Sequence, residues 1–234
     1  MKDLIYFVVT ILVLFVAAII FERIIKNRTE QKSRGFGVKK TAMTGMMAAL
    51  AAILMLVEVP LPFAPSFYKL DLSEVPVLIS AFAFGPVAGV LTEFIKILLK
   101  LVIKGTSTAF VGELANFAVG CALVLPASVV YFFKKNKKSA ILACITGTLV
   151  MTVFGSIFNA VYLLPAFSNL YGMPMEVILD MGCKVNPLVK QGDIISFVAA
   201  CVAPLNLVKG AVVSIITILV YKHISPVIKK NTDS

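Results

Sequence analysis

The 234-residue sequence is 59% hydrophobic and 15% charged, and it carries a formal net charge of +10. No soluble domain of this size needs so much apolar surface, whereas a bundle of membrane helices does, so a soluble globular protein is excluded. The positive charge does not indicate a nucleic-acid partner, because the cations cluster between apolar runs, as in the cytoplasmic loops of membrane proteins.

The first apolar run spans residues 4–21, and two interpretations of it compete. It is long for the apolar region of a signal peptide, and the basic segment "ERIIKNRTEQKSR" follows where a small-residue cleavage site is expected. The sequence therefore predicts an uncleaved anchor helix. Together with a basic cytoplasmic linker, this helix forms an N-terminal unit of residues 1–39.

Six further membrane helices are predicted in a second unit, residues 40–222, which a cytoplasmic tail at 223–234 follows. Between 74 and 103, Gly85-Pro86 interrupts the apolar sequence, which is either one long span or two short ones. With two short ones, the spans lie at about 41–57, 74–84, 86–103, 107–133, 139–163 and 196–221.

The distribution of basic residues decides between these alternatives. Cations concentrate in residues 22–40, 134–138 and 222–230. A cytoplasmic turn at Gly85-Pro86 places all three groups inside the cell, whereas a single span would place 134–138 outside. The sequence thus predicts an all-α, multi-pass protein of the cell membrane, a six-helix bundle preceded by one extra helix. Its N-terminus is outside and its C-terminus is cytoplasmic.

Polar residues gather in the outer half of this arrangement. Asn159 lies near the end of one span, and Asn206 and Lys209 lie near the start of the last. Each has a simpler explanation, because an asparagine often only bonds to a neighbouring helix and a lysine near a helix end can snorkel. Glu113 and Asn116, three apart on one face, are either packing contacts or ligands. The convergence of these groups favours a pocket that opens outward.

Residues 58–73 are predicted to form a loop across the mouth of this pocket. Prolines are followed there by Phe67, Tyr68, Leu70 and Leu72, and Tyr68 and Leu70 are predicted to contact the ligand. A pocket with aromatic and aliphatic walls and a few amides suits a flat heterocycle, because an asparagine can both donate to and accept from an imide edge. Glu93 and Lys96, spaced i,i+3, also have a simpler explanation than a role in the pocket, which is that they neutralise each other.

Small residues mark one face of the helix predicted at 41–57. Gly45 with Ala49, and Ala48 with Ala52, form two small-xxx-small pairs. Such a face lets another helix approach closely, and the spacing fits a partner chain and packing within this chain equally well.

No catalytic motif is present in the sequence. It contains no H-E-x-x-H, no G-x-S-x-G and no phosphate-binding P-loop, and its single histidine, His223, lies in the tail. The four cysteines show no paired spacing, so neither a disulfide framework nor a metal site is indicated. If this protein moves a solute with ATP, the ATPase must therefore be a separate chain.

Several segments together resemble the riboflavin-specific substrate-binding subunit, or S component, of energy-coupling factor (ECF) transporters. They run in the family's order from about residue 40 to 222 and read "KLDLSEVPVLISAFAFGPVAGVL", "GTSTAFVGELANFAVG", "FNAVYLLP" and "PLNLVKG". The resemblance implies a six-helix membrane protein that binds riboflavin from outside. It also implies docking onto a transmembrane coupling subunit and two cytoplasmic ATPases, with riboflavin as cargo and no cofactor of its own.

The resemblance also assigns residues. It implies that Asn159, Asn206 and Lys209 hydrogen-bond the ligand under the first long loop, and that Ala48 and Ala52 dock to the coupling subunit. Two segments depart from the family pattern, the 4–21 anchor and the long 164–195 loop. A membrane enzyme acting on a lipid or isoprenoid is the alternative, although its acids would cluster at the membrane surface, whereas here they are scattered.

Overall fold

The computed structural model describes residues 2–29 and 37–232, with side chains from 5 to 28 and from 37 to 220. The first part of the predicted basic linker belongs to α1, and its residues 30–36 lie outside the described residues. The elements in chain order are α1 Lys2–Thr29, α2 Val38–Leu56, β1 Val59–Pro60, β2 Lys69–Leu70, α3 Glu74–Phe84, α4 Pro86–Lys104, α5 Val111–Lys134, α6 Lys137–Phe158, a first π segment Asn159–Leu163, α7 Leu164–Tyr171, α8 Met175–Val185, α9 Ile194–Phe197, a second π segment Val198–Val202 and α10 Ala203–Thr232.

The predicted all-α membrane fold is confirmed, whereas the count of seven spans is not. By length and composition, five segments of the described chain can cross a membrane: 5–28, 38–56, 111–134, 137–171 and 194–220. Helix α3 has only 11 residues, and α4 carries Glu93, Lys96, Lys100 and Lys104. Helix α3 is buried over nearly its whole length, whereas α4 buries one face and exposes residues such as Val102 and Ile103.

The prediction of two helices between 74 and 103 is confirmed. The chain turns at Gly85, where φ is 103°, a conformation that suits glycine because it has no Cβ. Pro86 then starts α4, where its missing N–H costs no helical hydrogen bond. Helices α3 and α4 pack against each other and against α2 and α5, so α3 to α5 form the centre of the bundle.

Two prolines account for the π segments. Pro165 follows the first π segment by two residues, and Pro204 follows the second in the same way. A proline inside a helix has no N–H for the carbonyl four residues earlier, and a wider π turn accommodates this defect. At the second site the carbonyl of Ala200, which Pro204 cannot bond, accepts a 2.9 Å hydrogen bond from Asn186 Nδ2.

The long loop predicted at 164–195 is wrong, because this segment is largely helical. Helix α7 continues from the first π segment and ends at Gly172, where φ is 61°. Helix α8 then buries Ile178, Leu179 and Gly182 on one face. The prolines and glycines around this short helix made the segment resemble a loop in the sequence. The predicted tail is also helical as far as Thr232, because α10 continues through it.

Candidate functional site

A cavity of about 410 Å³ opens at the end of the bundle that holds the β1–β2 hairpin. Its wall comes from the hairpin segment and from α2, α3, α4, α5, α6, α7 and α10. Of the residues predicted to bind a ligand, five line this cavity: Tyr68, Asn116, Asn159, Asn206 and Lys209.

Two predicted ligand residues, Leu70 and Glu113, are not on the cavity wall. Leu70 pairs with Val59 in the hairpin. Glu113 is buried, and it accepts hydrogen bonds from Lys100 Nζ at 2.6 Å and from the hydroxyls of Thr106 and Thr108 at 3.0 and 3.1 Å. Glu113 therefore holds Lys100 and the loop before α5, and contributes to the site indirectly.

Asn159 is fixed from two directions. Its Oδ1 accepts a 2.6 Å hydrogen bond from the hydroxyl of Tyr68, and its Nδ2 donates 2.8 Å to the Gly155 carbonyl. A side-chain amide has two donors and two lone pairs, so one N–H and one lone pair remain for a ligand. Tyr68 thereby links the hairpin segment to the start of the first π segment.

Asn206 lies on the cavity wall, and its side-chain amide has a donor that is not used within the described residues. The residue is only 5% exposed, yet its Nδ2 has no hydrogen-bond partner there. Gly155 makes room for this amide, because a Cβ at position 155 would lie 2.7 Å from Nδ2. A buried donor without a partner costs about 1–3 kcal/mol, and such groups in a cavity wall are typical of binding sites.

Lys209 lies one turn beyond Asn206. Its ammonium group pairs with acidic side chains instead of snorkelling to the membrane surface. Its Nζ donates 2.9 Å to Asp71 Oδ2 and lies 3.6 Å from Glu74 Oε1. Burial raises the pKa of Asp71, but the ammonium groups of Lys209 and Lys96 outweigh it and lower that pKa to about 2. Ser73 also donates to Asp71 through its backbone N–H, at 2.9 Å, and through its hydroxyl.

The ion pairs continue into the centre of the bundle. Lys96 Nζ lies 2.9 Å from Glu74 Oε1 and 2.6 Å from Glu93 Oε1, and all three side chains are at most 1% exposed. The predicted pairing of Glu93 with Lys96 is thus confirmed. Together with Asp71 and Lys209 they form the buried ion network, which has three carboxylates and two ammonium groups. Within the described residues no acid, histidine or cysteine cluster is arranged to hold a metal ion.

Sequence reasoning missed Asp71 and Glu74. Both lie in "KLDLSEVP", a segment that was interpreted as an apolar lid. A signal was available, because buried acids and lysines in a membrane protein are expected to pair. The partner of Asp71 is Lys209, however, which lies 138 residues further along the chain. Only the fold brings them together.

The mouth of the cavity is lined by lysines. Lys69 and Lys104 approach the same oxygen, Glu58 Oε2, at 2.8 and 3.3 Å, and Lys100 bonds to Glu113. Burial acts against ionisation of Glu58, but its hydrogen bonds to Lys69 and Lys104 lower the pKa of this carboxyl overall.

Aromatic rings line part of the cavity at the hairpin end. The Phe67 and Tyr68 rings lie 4.6 Å apart, Phe67 is 6.0 Å from Phe167 of α7, and Tyr68 is 6.3 Å from Phe197 of α9. Asn186 donates to the carbonyl of Phe63 at 3.3 Å as well as to Ala200. The hairpin segment is therefore held to α7, α9 and the second π segment, so the cap involves more than the predicted 58–73 loop.

The small residues of α2 fall on two different faces. Ala48 and Ala52 are 0% and 1% exposed, because this side of α2 packs inside the bundle. The prediction that they form a surface for a partner is therefore wrong. Ala49 is exposed and Gly45 partly exposed, and a Cβ at Gly45 would meet no atom within 4 Å.

The chain is similar to known proteins over most of its length. The family described as "ECF transporter, substrate-specific component" matches residues 39–221. Riboflavin transporter RibU of Staphylococcus aureus is 34% identical over 192 residues, or 82% of this chain and 93% of the relative. Riboflavin transporter FmnP of Bacillus subtilis is 31% identical over 194 residues, or 82% and 95% of the two chains. A solved structure described as "Structure and mechanism of the S component of a bacterial ECF transporter" is 36% identical, with a TM-score of 0.63, over 82% of this chain and 98% of the other.

Proposed function

We propose a function from one premise: this chain belongs to the family of substrate-specific components of ECF transporters. It is therefore a membrane transport subunit and not an enzyme, so the lipid-enzyme alternative is wrong. The proposed ligand is riboflavin, the compound in the printed names of the S. aureus and B. subtilis relatives. The observation in this chain that carries the proposal is the buried, unpartnered amide of Asn206 on the cavity wall.

The chemistry of the cavity suits a flavin ring. Its pyrimidinedione edge alternates carbonyl acceptors with an N–H donor, and the amides of Asn206 and Asn159 offer both kinds of partner. Asn206 supplies an unused N–H, and Asn159 keeps one N–H and one lone pair beyond its bonds to Tyr68 and Gly155. The rings of Phe67, Tyr68 and Phe167 give the apolar surface against which a planar ligand packs.

Lys209 and Asn116 complete the proposed polar contacts. An ammonium has three donors, and Asp71 takes one from Lys209 while Glu74 Oε1 lies 3.6 Å away, which leaves a donor for a ring carbonyl or a ribityl hydroxyl. Asn116 Nδ2 donates 3.0 Å to the Gly112 carbonyl, so its Oδ1 can accept from the ligand. Asp71 is then a positioning residue, because it fixes the ammonium at the cavity wall.

The proposed transport cycle needs partner chains. The sequence contains no phosphate-binding P-loop, so ATP hydrolysis is assigned to two separate cytoplasmic ATPase subunits, joined to this chain by a transmembrane coupling subunit. The exposed face of α2 around Gly45 and Ala49 is the proposed seat of the coupling subunit, because small residues allow close approach of a partner helix.

We expect the Ala49→Leu variant to lose the coupling subunit, since the larger side chain would hold the two helices apart. Co-purification of the coupling subunit with this chain measures the effect. Thr146→Leu, which places the same leucine side chain at a partly exposed site on α6, is the control and should leave the complex intact. If the two variants retain the coupling subunit equally, the docking face lies elsewhere.

The proposed orientation puts the cavity outside the cell and Lys134–Asn136 inside, as the positive-inside rule requires. In a variant without the other three cysteines, a membrane-impermeant thiol reagent applied to whole cells should label Cys183, which is partly exposed in α8. A cysteine at position 135 should react only after the cells are opened. Labelling of position 135 from outside would refute this topology.

The ligand itself is tested by the small molecule that the protein retains. We expect mass spectrometry of the purified chain, after gentle denaturation, to find riboflavin in about equimolar amount. A phosphorylated flavin in its place would correct the ligand but keep the class. A protein that releases no flavin, and takes none up when riboflavin is added, would contradict the proposed function.

A further inference from the structure

Helix α1 lies outside the part of the chain that matches the family, which begins at residue 39. It nevertheless packs along α4 and α5. Phe7 and Ala18 are buried at 6% and 0% exposure, and the Phe15 ring meets that of Phe94 edge to face at 5.8 Å. This seat is distinct from the exposed face of α2, so α1 does not compete with the proposed docking surface.

The N-terminal end of α1 contacts two elements of the cavity wall. The Phe7 ring lies 6.2 Å from that of Phe110, at the end of the loop that contributes Gly105, Ser107 and Thr108 to the cavity. The Tyr6 ring lies 6.0 Å from that of Tyr162, in the π segment that begins with Asn159. Phe110 and Tyr162 do not line the ligand cavity themselves, but residues close to them in the chain do.

The loop before α5 needs support from its surroundings. Ala109 and Phe110 have φ of 45° and 70°, in the left-handed region that side chains with a Cβ seldom adopt. Residues in such conformations persist when contacts around them hold them in place. The amides of Phe110 and Gly112 are bonded to the hydroxyls of Thr106 and Thr108, at 3.1 and 3.0 Å, so the loop is ordered from within. Phe7 supplies the aromatic contact from outside.

We infer that α1 is a brace for the ligand cavity, and that Phe7 is a positioning residue that holds the strained 105–110 loop in its binding conformation. This inference rests on the proposed function, because the affinity that it describes is that for riboflavin. It assigns a role to the anchor helix that the resemblance to the family leaves without one.

The test compares Phe7→Ala with Phe15→Ala in the full chain. Both remove an aromatic pair between α1 and the bundle, but Phe15 packs against Phe94, which does not line the cavity. An aromatic pair of this kind corresponds to about 2- to 12-fold in an equilibrium constant. We expect Phe7→Ala to raise the Kd for riboflavin by that factor. Phe15→Ala should lower the midpoint of thermal unfolding about as much as Phe7→Ala does, but it should leave the Kd for riboflavin unchanged.

A second measurement does not depend on the ligand. Hydrogen exchange of the Phe110 and Gly112 amides should become faster in Phe7→Ala and stay at the wild-type rate in Phe15→Ala. If Phe7→Ala fails to fold, Phe7→Leu removes the ring while keeping most of the volume, and the same two results are expected in weaker form.

The outcomes separate the two proposals. Equal effects of Phe7→Ala and Phe15→Ala on both Kd and amide exchange would overturn the brace and leave riboflavin binding intact. If the wild-type chain binds no riboflavin, the proposed ligand is refuted. If the 105–112 amides nevertheless exchange faster in Phe7→Ala and not in Phe15→Ala, that result supports the brace.

Discussion

The Lys96→Met variant is expected to lose about 3–5 kcal/mol of stability, because it removes the cation at the centre of the buried ion network. Lys96 is 0% exposed and is the ammonium that neutralises Glu93, the carboxylate farthest from Lys209 in the chain of ion pairs. Gly120 leaves just enough room for Glu93, since a Cβ there would collide with Oε1. Without Lys96, two buried carboxylates, those of Glu74 and Glu93, would face each other with no cation between them.

Lys104→Met is the matched control, on the same helix two turns further along. Lys104 is half exposed and pairs with Glu58 at 3.3 Å, and exposed ion pairs contribute at most about 1 kcal/mol. Thermal unfolding of both variants in detergent micelles, with wild type alongside, measures the difference. If Lys96→Met melts within a degree or two of Lys104→Met, the network is not the structural centre that its burial suggests.

For the ligand, the largest single effect is expected from Asn206→Ala. Its Nδ2 has no partner within the described residues, so the substitution removes no hydrogen bond of this donor there and should change the unfolding midpoint little. A lost hydrogen bond to a buried ligand corresponds to about 1–3 kcal/mol. We therefore expect the Kd for riboflavin to rise by about 5- to 150-fold.

Asn136→Ala provides the comparison for this prediction. Asn136 caps the start of α6 at the opposite end of the bundle, where its side chain accepts from the Ser139 amide at 2.8 Å. Losing such a cap costs about 0.5–2 kcal/mol of stability, with no effect on the cavity. The two variants should thus show opposite patterns, one with weaker binding and one with a lower melting point. Unchanged affinity in Asn206→Ala would mean that this amide serves packing and not the ligand.

The outline of the fold could be predicted from the sequence because it follows from local patterns. The lengths of the apolar runs predicted where the long helices lie. Gly85-Pro86 and the positive-inside rule together predicted that α3 and α4 are separate helices. The π segments could also have been predicted, because a proline follows each of them by two residues inside a long apolar run. Helix α8 was missed for a local reason too, because its helical spacing is short and flanked by glycine and proline.

The rest depends on which residues distant in sequence meet in the fold. Nothing near Asp71 indicates that Lys209 is its partner, and nothing near Glu113 indicates that it turns toward Lys100 and away from the cavity. The sequence was equally unable to show which face of α2 is buried. Residues 45 and 49 lie only about 60° around the helix from 48 and 52, so spacing alone cannot say which pair faces inward. Packing against α3 and α4 decides it.

Titration of riboflavin fluorescence with the purified chain tests directly whether this cavity binds the flavin. We expect saturable quenching with one flavin bound per chain, because the cavity of about 410 Å³ has one set of polar contacts around Asn206 and Lys209. We also expect Asn206→Ala to weaken this quenching and Asn136→Ala to leave it unchanged. A protein that folds and melts cooperatively but quenches no flavin, or quenches it equally in both variants, would contradict the assignment of this cavity as the riboflavin site.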